Sequence, residues 1–247
     1  MEFVVLKIIK KDFFCPVCSH TIENFIPLPE FYAENTKKYG YIYFGRGEMT
    51  AVETYTCPDC GSSDRERLYA LWLRKKIVHK KLKMLHIAPE PSLSKFIKTL
   101  KLLKYKTADL MMNHVDYKID MMNMPFKDNS YDCFICSHVL EHVESDDKAI
   151  SELYRILKPK GWGILMVPIC TEISQTLEDP SHISEEDRWR YYGQNDHVRL
   201  YSHDDYVKKI TQHKFKISEL DINYFGKDIF IQLGLKESSI LYIVEKS

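Results

Sequence analysis

The chain lacks net charge. Its 35 lysines and arginines are matched by 35 aspartates and glutamates. That balance excludes the broad electrostatic footprint of a general nucleic-acid binder. It also lacks an apolar run of membrane-spanning length, an internal repeat and a low-complexity tract. A disulfide framework is missing as well. The seven cysteines do not pair up as in a secreted scaffold, and four of them form two C-x-x-C units. This usage points to a reducing compartment and to metal. The opening MEFVVLKIIKK has too short an apolar core for a signal peptide, and charge interrupts it. A cytoplasmic location is the expectation. One local charge excess stands out, KKIVHKKLK from Lys75 to Lys83. It reads as a solvated helix end, with a polyanion contact as the alternative.

What is present suits one ordinary domain plus a small appendage. Such a length buries a sizeable core without disulfides. Residues 1–66 are expected to form a small β-rich zinc ribbon, and 67–247 the main α/β domain. Within the first part, YGYIYFGRGEMTAVETYTC (Tyr39 to Cys57) alternates aromatic and β-branched residues with turn formers, as strands do. From Asp64 the pattern changes. DRERLYALWLRKKI spaces Leu68, Leu71, Trp72 and Leu73 for an amphipathic helix, with Asp64 as a candidate N-cap. That helix bridges the two parts.

The second part alternates strand and helix. Strands are expected at Met84–Ala88, Tyr105–Ala108, near Tyr117–Ile119, at Cys133–Cys136 and at Ile164–Val167. Helices are expected from about Ser92 to Leu103 and from about Asp146 to Leu157. Two late alternating runs, FKISELD and ILYIVEK, could close the sheet. This order argues for a parallel sheet wound with helices. Polar residues at the carboxyl ends of its strands then fall where such sheets bind ligands.

Cys15-Pro-Val-Cys18 and Cys57-Pro-Asp-Cys60-Gly61 carry the metal signal. Each pair can present two thiolates to one ion, and two pairs complete the tetrahedral four-sulfur shell that zinc favours. A closed shell has no open position, so the role is structural. Unligated thiols and a catalytic dithiol are the alternatives. Cys133 and Cys136 repeat the spelling inside a strand, where residues three apart face opposite sides. They read as packing.

The ordered set from Met84 to Pro168, with MPFKDNSYDCFICSHVLEHV and RILKPKGWGILMVP, resembles class I S-adenosylmethionine (SAM)-dependent methyltransferases. The whole chain is similar to a bacterial branch with a zinc ribbon first, an A-P-E loop, H-V-L-E-H-V and a later G-Q-x-D-H-V-R-x-Y. The resemblance implies a Rossmann-like sheet with helices on both faces, and SAM as cofactor. Asp109, with Leu110 after it, matches the acid placed on the ribose hydroxyls. Asp120, with Met121, matches the acid that holds the adenine amino group. Ser137 and His138 fall near the methionine moiety and the reacting sulfonium. In place of the family's glycine-rich loop the chain has His86-Ile87-Ala88-Pro89-Glu90-Pro91. Ala88 could substitute for a glycine, and Glu90 could hold the cofactor's ammonium group. Taken singly, either aspartate could be a surface turn residue.

His138-Val139-Leu140-Glu141-His142 also spells H-x-x-E-H, the zinc-binding pattern of inverse zincins when it lies on a helix. Directly after a strand it reads instead as packing or capping near the cofactor. The denser cluster runs from Tyr191 to Tyr201. His197 is the candidate general base, with Asp196 to orient it and His138 as a further catalytic candidate. Tyr192, Gln194, Arg199 and Tyr201 are candidates for binding the acceptor, Arg199 through an anionic group. A structural turn with Arg199 in a salt bridge is the competing reading. Thr171 to Arg190 is expected to form an acidic lid, which disfavours a nucleic-acid acceptor. These readings converge on methyl transfer to an oxygen of a small polar molecule. A sugar, a sugar nucleotide or a phosphorylated capsule precursor is the expected acceptor. An RNA methyltransferase and a non-catalytic binding module are the alternatives.

Overall fold

The computed structural model describes residues 12–77 and 81–247. The opening MEFVVLKIIKK and residues 78–80 of the basic run lie outside the described residues. The chain starts with a short antiparallel hairpin, β1 (Phe13–Cys15) and β2 (His20–Ile22). Next comes α1 (Glu30–Tyr39), a helix that apolar periodicity does not reveal. It buries only Thr36 fully, so its sequence carries no apolar stripe. Gly40 ends it in the left-handed conformation. The Tyr39–Cys57 run forms turns, a short 3-10 helix at Val52–Thr54 and isolated bridges, not the strands its alternation predicts. The reason is its neighbours. Tyr41, Tyr43 and Tyr55 face a cavity instead of a sheet.

The bridging helix forms as α2 (Asp64–Lys76). Its cap is Ser63, not Asp64. Ser63 and Glu66 make a capping box, with the Ser63 backbone N–H donating to Glu66 Oε2 at 2.7 Å. Asp64 is buried and accepts from the Ala51 N–H at 2.6 Å. Arg67 points inward and is fully buried. Its guanidinium donates to the carbonyls of Tyr55 at 2.9 Å and Leu233 at 2.8 Å, and also to that of Thr54. Leu68 and Leu73 are also fully buried, and each contributes roughly 2 kcal/mol.

The sheet strands and their helices then follow in order. They are β3 (Leu82–Ile87), α3 (Pro91–Thr99), β4 (Leu103–Asp109), β5 (Tyr117–Lys118), β6 (Tyr131–Ser137), α4 (Asp146–Ile156) and β7 (Leu157–Met166). After them come α5 (Glu185–Tyr192), α6 (His203–Gln212), β8 (Phe215–Leu220), α7 (Ile222–Phe225), α8 (Lys227–Gln232) and β9 (Leu241–Lys246). The spatial order is β5-β4-β3-β6-β7-β9-β8. Strands β3 to β7 pair in parallel, and β9 runs antiparallel between β7 and β8. The parallel part is the sheet that the alternation predicts, and the whole is the Rossmann-like sheet that the resemblance implies, with an antiparallel edge added by β8 and β9. Its order reverses between β3 and β6, which makes that boundary the switch point. Central β6 is buried throughout its middle, Cys133 and Cys136 included. One buried cluster joins Cys15, Val17 and Phe25 to α2 and to the sheet. Among the described residues, no helix is long and apolar enough to cross a membrane.

Glu48 sits at the seam between the N-terminal segment and β9. Tyr242 Oη donates to its carboxylate at 2.8 Å, and its backbone N–H donates to Ile169 O at 2.8 Å. Burial pushes its pKa up to about 7, and Glu219 adds to the rise, while the Tyr242 bond, His203 and Lys236 oppose it. The folded form therefore binds this proton more tightly than the unfolded chain, whose value is near 4.5. The stabilisation is fully present below the unfolded value and is lost as pH rises to about 7. We expect Glu48→Gln to flatten the fall in thermal midpoint between roughly pH 5 and pH 8 by several degrees, at about 2–4 °C per kcal/mol. An unchanged slope in scanning calorimetry would assign the pH dependence elsewhere.

Candidate active site

Two residues at the switch point take the left-handed conformation without being glycine. Ala88 directly follows β3 with φ 49°, and His138 directly follows β6 with φ 55°. Each such residue costs roughly 1–2 kcal/mol, and such strain clusters at functional sites. Ala88 N–H donates to Ala108 O, and His138 N–H donates to Met166 O, both at 2.9 Å. The backbone therefore turns sharply at the ends of adjacent strands. The glycine-free loop makes the bend that a glycine would make.

Asp109 lies at the carboxyl end of β4, directly beside this bend. Its Oδ1 accepts from the N–H groups of Met111 and Met112, both at 2.6 Å. Among the described residues, its Oδ2 accepts no hydrogen bond. Ile119 N–H donates to Asp109 O, which brings Asp120 close to Asp109. Asp120 Oδ1 accepts from Met122 N–H at 2.8 Å. Leu110 is 54% exposed beside them, whereas Met121 is buried. Two partly exposed carboxylates thus stand together at one edge, each with an oxygen to offer to hydroxyl or amino donors. Those donor types suit an adenosine.

Three other cofactor candidates are already engaged. His86 is buried, with Nδ1 2.8 Å from Tyr105 Oη and Nε2 2.9 Å from Glu90 Oε2. Glu90 Oε1 lies 3.8 Å from Arg65 Nε. Burial works against the ionised form of Glu90, yet His86 and Arg65 hold its pKa below the usual range. Ser137 Oγ lies 3.1 Å from Tyr69 Oη.

On the other side of the switch point opens a cavity of about 350 Å³. His138, Glu141 and His142 line its floor, with Pro168 to Cys170 beyond β7. Arg65, Tyr41, Tyr43 and Tyr55 come from the N-terminal part. Tyr192, Gln194 and His197 come from the insert after β7. The roof is α1 packed on α5, where Tyr39 stacks on Trp189 with centroids 5.9 Å apart. Gly193 caps α5 at φ 81°, and a Cβ there would come within 2.8 Å of the Tyr41 ring. The expected acidic lid thus ends in this helix. Its earlier part is pinned where Tyr192 Oη accepts from Asp179 N–H at 2.8 Å.

The floor holds an imidazole–carboxylate cluster. Glu141 is fully buried, with His138 Nδ1 3.3 Å and His142 Nε2 3.8 Å from its Oε1. Burial would raise its pKa, but His138, His197 and His142 bring it down to about 2. Burial pushes His197 down to about 4, against the pull of Glu141. The expected Asp196–His197 pairing is replaced by another. Asp196 Oδ2 lies 3.2 Å from His142 Nδ1, and the His142 and His197 rings meet edge to face. The H-x-x-E-H segment is a turn and not a helix, so the geometry of the peptidase pattern is absent.

Arg199 and Tyr201 lie behind the cavity wall and do not line it. Arg199 is 1% exposed. It donates to Leu140 O, to Val143 O at 2.7 Å, to Glu144 O at 3.1 Å and to Glu178 Oε1 at 2.7 Å. Tyr201 Oη donates to Asp146 at 2.6 Å. Both shape the turn that carries Glu141 and His142, so the salt-bridge reading of Arg199 describes its contacts. Arg65 is the cavity's cation instead. It lies in the first turn of a helix whose pattern speaks only of packing, so the sequence carries no signal for it. Outside the cavity lining, the sulfurs of Cys15, Cys18, Cys57 and Cys60 all lie within 4.8 Å of one another. Gly61 follows them in the left-handed conformation that their turn requires.

Part of the chain is similar to known proteins. Residues 93–165 match the family model described as a methyltransferase domain. The ubiquinone/menaquinone biosynthesis C-methyltransferase UbiE of Haemophilus ducreyi is 29% identical over 104 residues, 37% of this chain and 39% of that protein. The chain thus spans about two fifths of the length of the curated relatives it matches. Among solved structures, the YcgJ protein of Bacillus subtilis is 15% identical with a TM-score of 0.49, covering 71% of this chain and 96% of that one. Haemonchus contortus phosphoethanolamine N-methyltransferase 2, solved with SAM, is 17% identical with a TM-score of 0.49, covering 70% and 42%. The fold assignment rests on the strand order and not on these two likenesses. The strand order defines a Rossmann-like α/β fold, and residues 93–165 within it are similar to the methyltransferase domain.

The burial of Arg199 predicts its mutant phenotype. Arg199→Ala strips partners from three carbonyls and from Glu178, and should cost about 3 kcal/mol or more in urea unfolding. A loss of acceptor affinity at wild-type stability would return Arg199 to a binding role.

Proposed function

We propose that the chain is a SAM-dependent methyltransferase acting on an oxygen of a small polar acceptor. The observation that carries this reading is the division of the switch point. Asp109 and Asp120 stand on one side, the cavity opens on the other, and His138 lies between them. The donor set fits SAM, since Asp109 and Asp120 suit the ribose hydroxyls and the adenine amino group. When bound, SAM supplies an activated methyl on a sulfonium. The chain's part is to hold the acceptor in line and to exclude water, which can remove roughly 7–11 kcal/mol of barrier.

The cavity supports a small acceptor. Its volume is within the usual range for small-molecule sites, and Tyr41, Tyr43 and Gln194 offer stacking and hydrogen bonds. Arg65 favours a partial or full negative charge on the acceptor. The acceptor's proton leaves toward the His142–His197 pair. His197 stays neutral near pH 7, because burial depresses its pKa, and its buried Nδ1 has no partner. The likeness to a zinc-ribbon branch makes a surface-glycan or capsule precursor the first acceptor to assay, with the chain acting in the cytoplasm. The UbiE similarity favours a carbon acceptor as the second reading. The neutral chain speaks against RNA.

The four sulfurs fit a structural zinc, with Cys15 and Cys57 buried and Cys18 and Cys60 partly so. Their place in the common core gives the ion a folding role.

Calorimetry with SAM should show binding that Asp109→Ala and Asp120→Ala each weaken at least tenfold. No binding by the wild type would favour a non-catalytic module. With labelled SAM and candidate glycan precursors, His197→Ala should cut turnover by roughly 10²-fold or more while SAM affinity holds. Equal turnover would remove His197 from the reaction. Cys57→Ser should lower zinc content by about one ion per chain and reduce the melting temperature. Unchanged zinc content would reject the four-cysteine site.

A further inference from the structure

One carboxylate in the acceptor cavity is surrounded by imidazoles but lacks well-directed hydrogen bonds. Glu141 is wholly buried, and neither of its carboxylate oxygens has a well-directed hydrogen-bond partner; its nearest polar neighbour is His138 Nδ1, 3.3 Å from Oε1. The nearby Nδ1 of His197 is buried without a partner as well. An ionised carboxylate in that state is expensive unless a cation meets it. One donor atom from each of Glu141, His142 and His197 lies within 4.8 Å of the others. In a tetrahedral shell with bonds of about 2.0–2.2 Å, ligand atoms lie about 3.3–3.6 Å apart, so closure needs side-chain shifts on the order of 1 Å.

We propose that Glu141, His142 and His197 hold a divalent transition-metal ion in the wall of the cavity, and that its open positions take an oxygen of the acceptor. Only the second half rests on the methyltransferase reading. Two imidazoles and one carboxylate form a mixed nitrogen–oxygen set that suits such ions. The supporting shell is present. His142 Nε2 faces Glu141 Oε1 at 3.8 Å, while its Nδ1 faces Asp196 Oδ2 at 3.2 Å. Gln194 Nε2 donates to Asp196 Oδ1 at 2.9 Å. This is the carboxylate–imidazole relay that orients a metal-binding histidine. Val198 N–H donates to Glu141 O at 2.8 Å, tying the His197 segment to the Glu141 turn. With the His142 and His197 rings committed to the ion, the ion takes over from that pair in activating the acceptor, and a hydroxyl bound to it loses its proton to water more readily. Its oxygen then forms the new C–O bond as the S–CH3 bond of the donor breaks, leaving a neutral thioether.

This ion is separate from the zinc that the cysteines predict. The test titrates the zinc-loaded full chain with Mn²⁺ under electron paramagnetic resonance, because Mn²⁺ prefers nitrogen and oxygen donors to thiolates. The wild type should show a saturable site for about one Mn²⁺ per chain, weakened at least tenfold by Glu141→Gln and by His142→Ala. Asp196→Asn should weaken it less, and Tyr43→Phe should leave it unchanged. His142 and Asp196 are partly exposed, so their variants keep the test open if Glu141→Gln does not fold. No saturable wild-type site, or equal affinity in the Glu141 and His142 variants, overturns the proposal. SAM calorimetry on the same samples separates the two readings. Mn²⁺ bound without SAM keeps the metal and rejects the cofactor, and SAM bound without Mn²⁺ does the reverse.

Discussion

The arrangement depends on one buried cation. Arg67 spends its guanidinium donors on backbone carbonyls from Thr54 and Tyr55 near the ribbon and from Leu233 near the end of the chain. Its plane also lies 3.8 Å over the Phe25 ring. Burial lowers its pKa, but guanidinium stays charged in proteins. A charge held by neutral carbonyls is tolerated only if all those carbonyls stay in place. Arg67 therefore locks three distant segments into one geometry. The capping box at Ser63 and Glu66 sets the start of the same helix, and Glu66 also accepts from Leu93 N–H at the start of α3.

That lock explains how the site is shared. The N-terminal part is more than an appendage to the sheet, because its tyrosines and Arg65 make one wall of the cavity. The α1–α5 pair then closes the roof from both halves of the chain. Glu48 marks the same seam from the other side, where it meets Tyr242 of β9. A structural metal among the cysteines would act through this contact, by holding the segment that supplies the wall.

The switch point concentrates the strain. Ala88 and His138 adopt a conformation that glycine takes freely, and the hydrogen bonds of β3 and β6 to their neighbours over-determine it. Arg199 and Tyr201 brace the turn that follows His138, and so hold buried Glu141 and partly exposed His142 in place. The cavity floor is thus built by residues that never line it.

The succession of strands and helices, the pairs Cys15–Cys18 and Cys57–Cys60, and the acids at strand ends were legible in the sequence. Each depends on local spacing, either a period of two, a two-residue gap or a position after an apolar run. Helix α1 was not legible, because it lacks an apolar face, and the tyrosine run misled because alternation fits a cavity wall as well as a strand. The roles of Arg65, Arg199 and Asp196 were decided only by tertiary structure. A charged side chain looks the same in sequence whether it meets solvent, a carbonyl or an imidazole. Only the folded chain brings Leu140, Val143 and Glu144 to Arg199 and His142 to Asp196, across separations in sequence that no local pattern records.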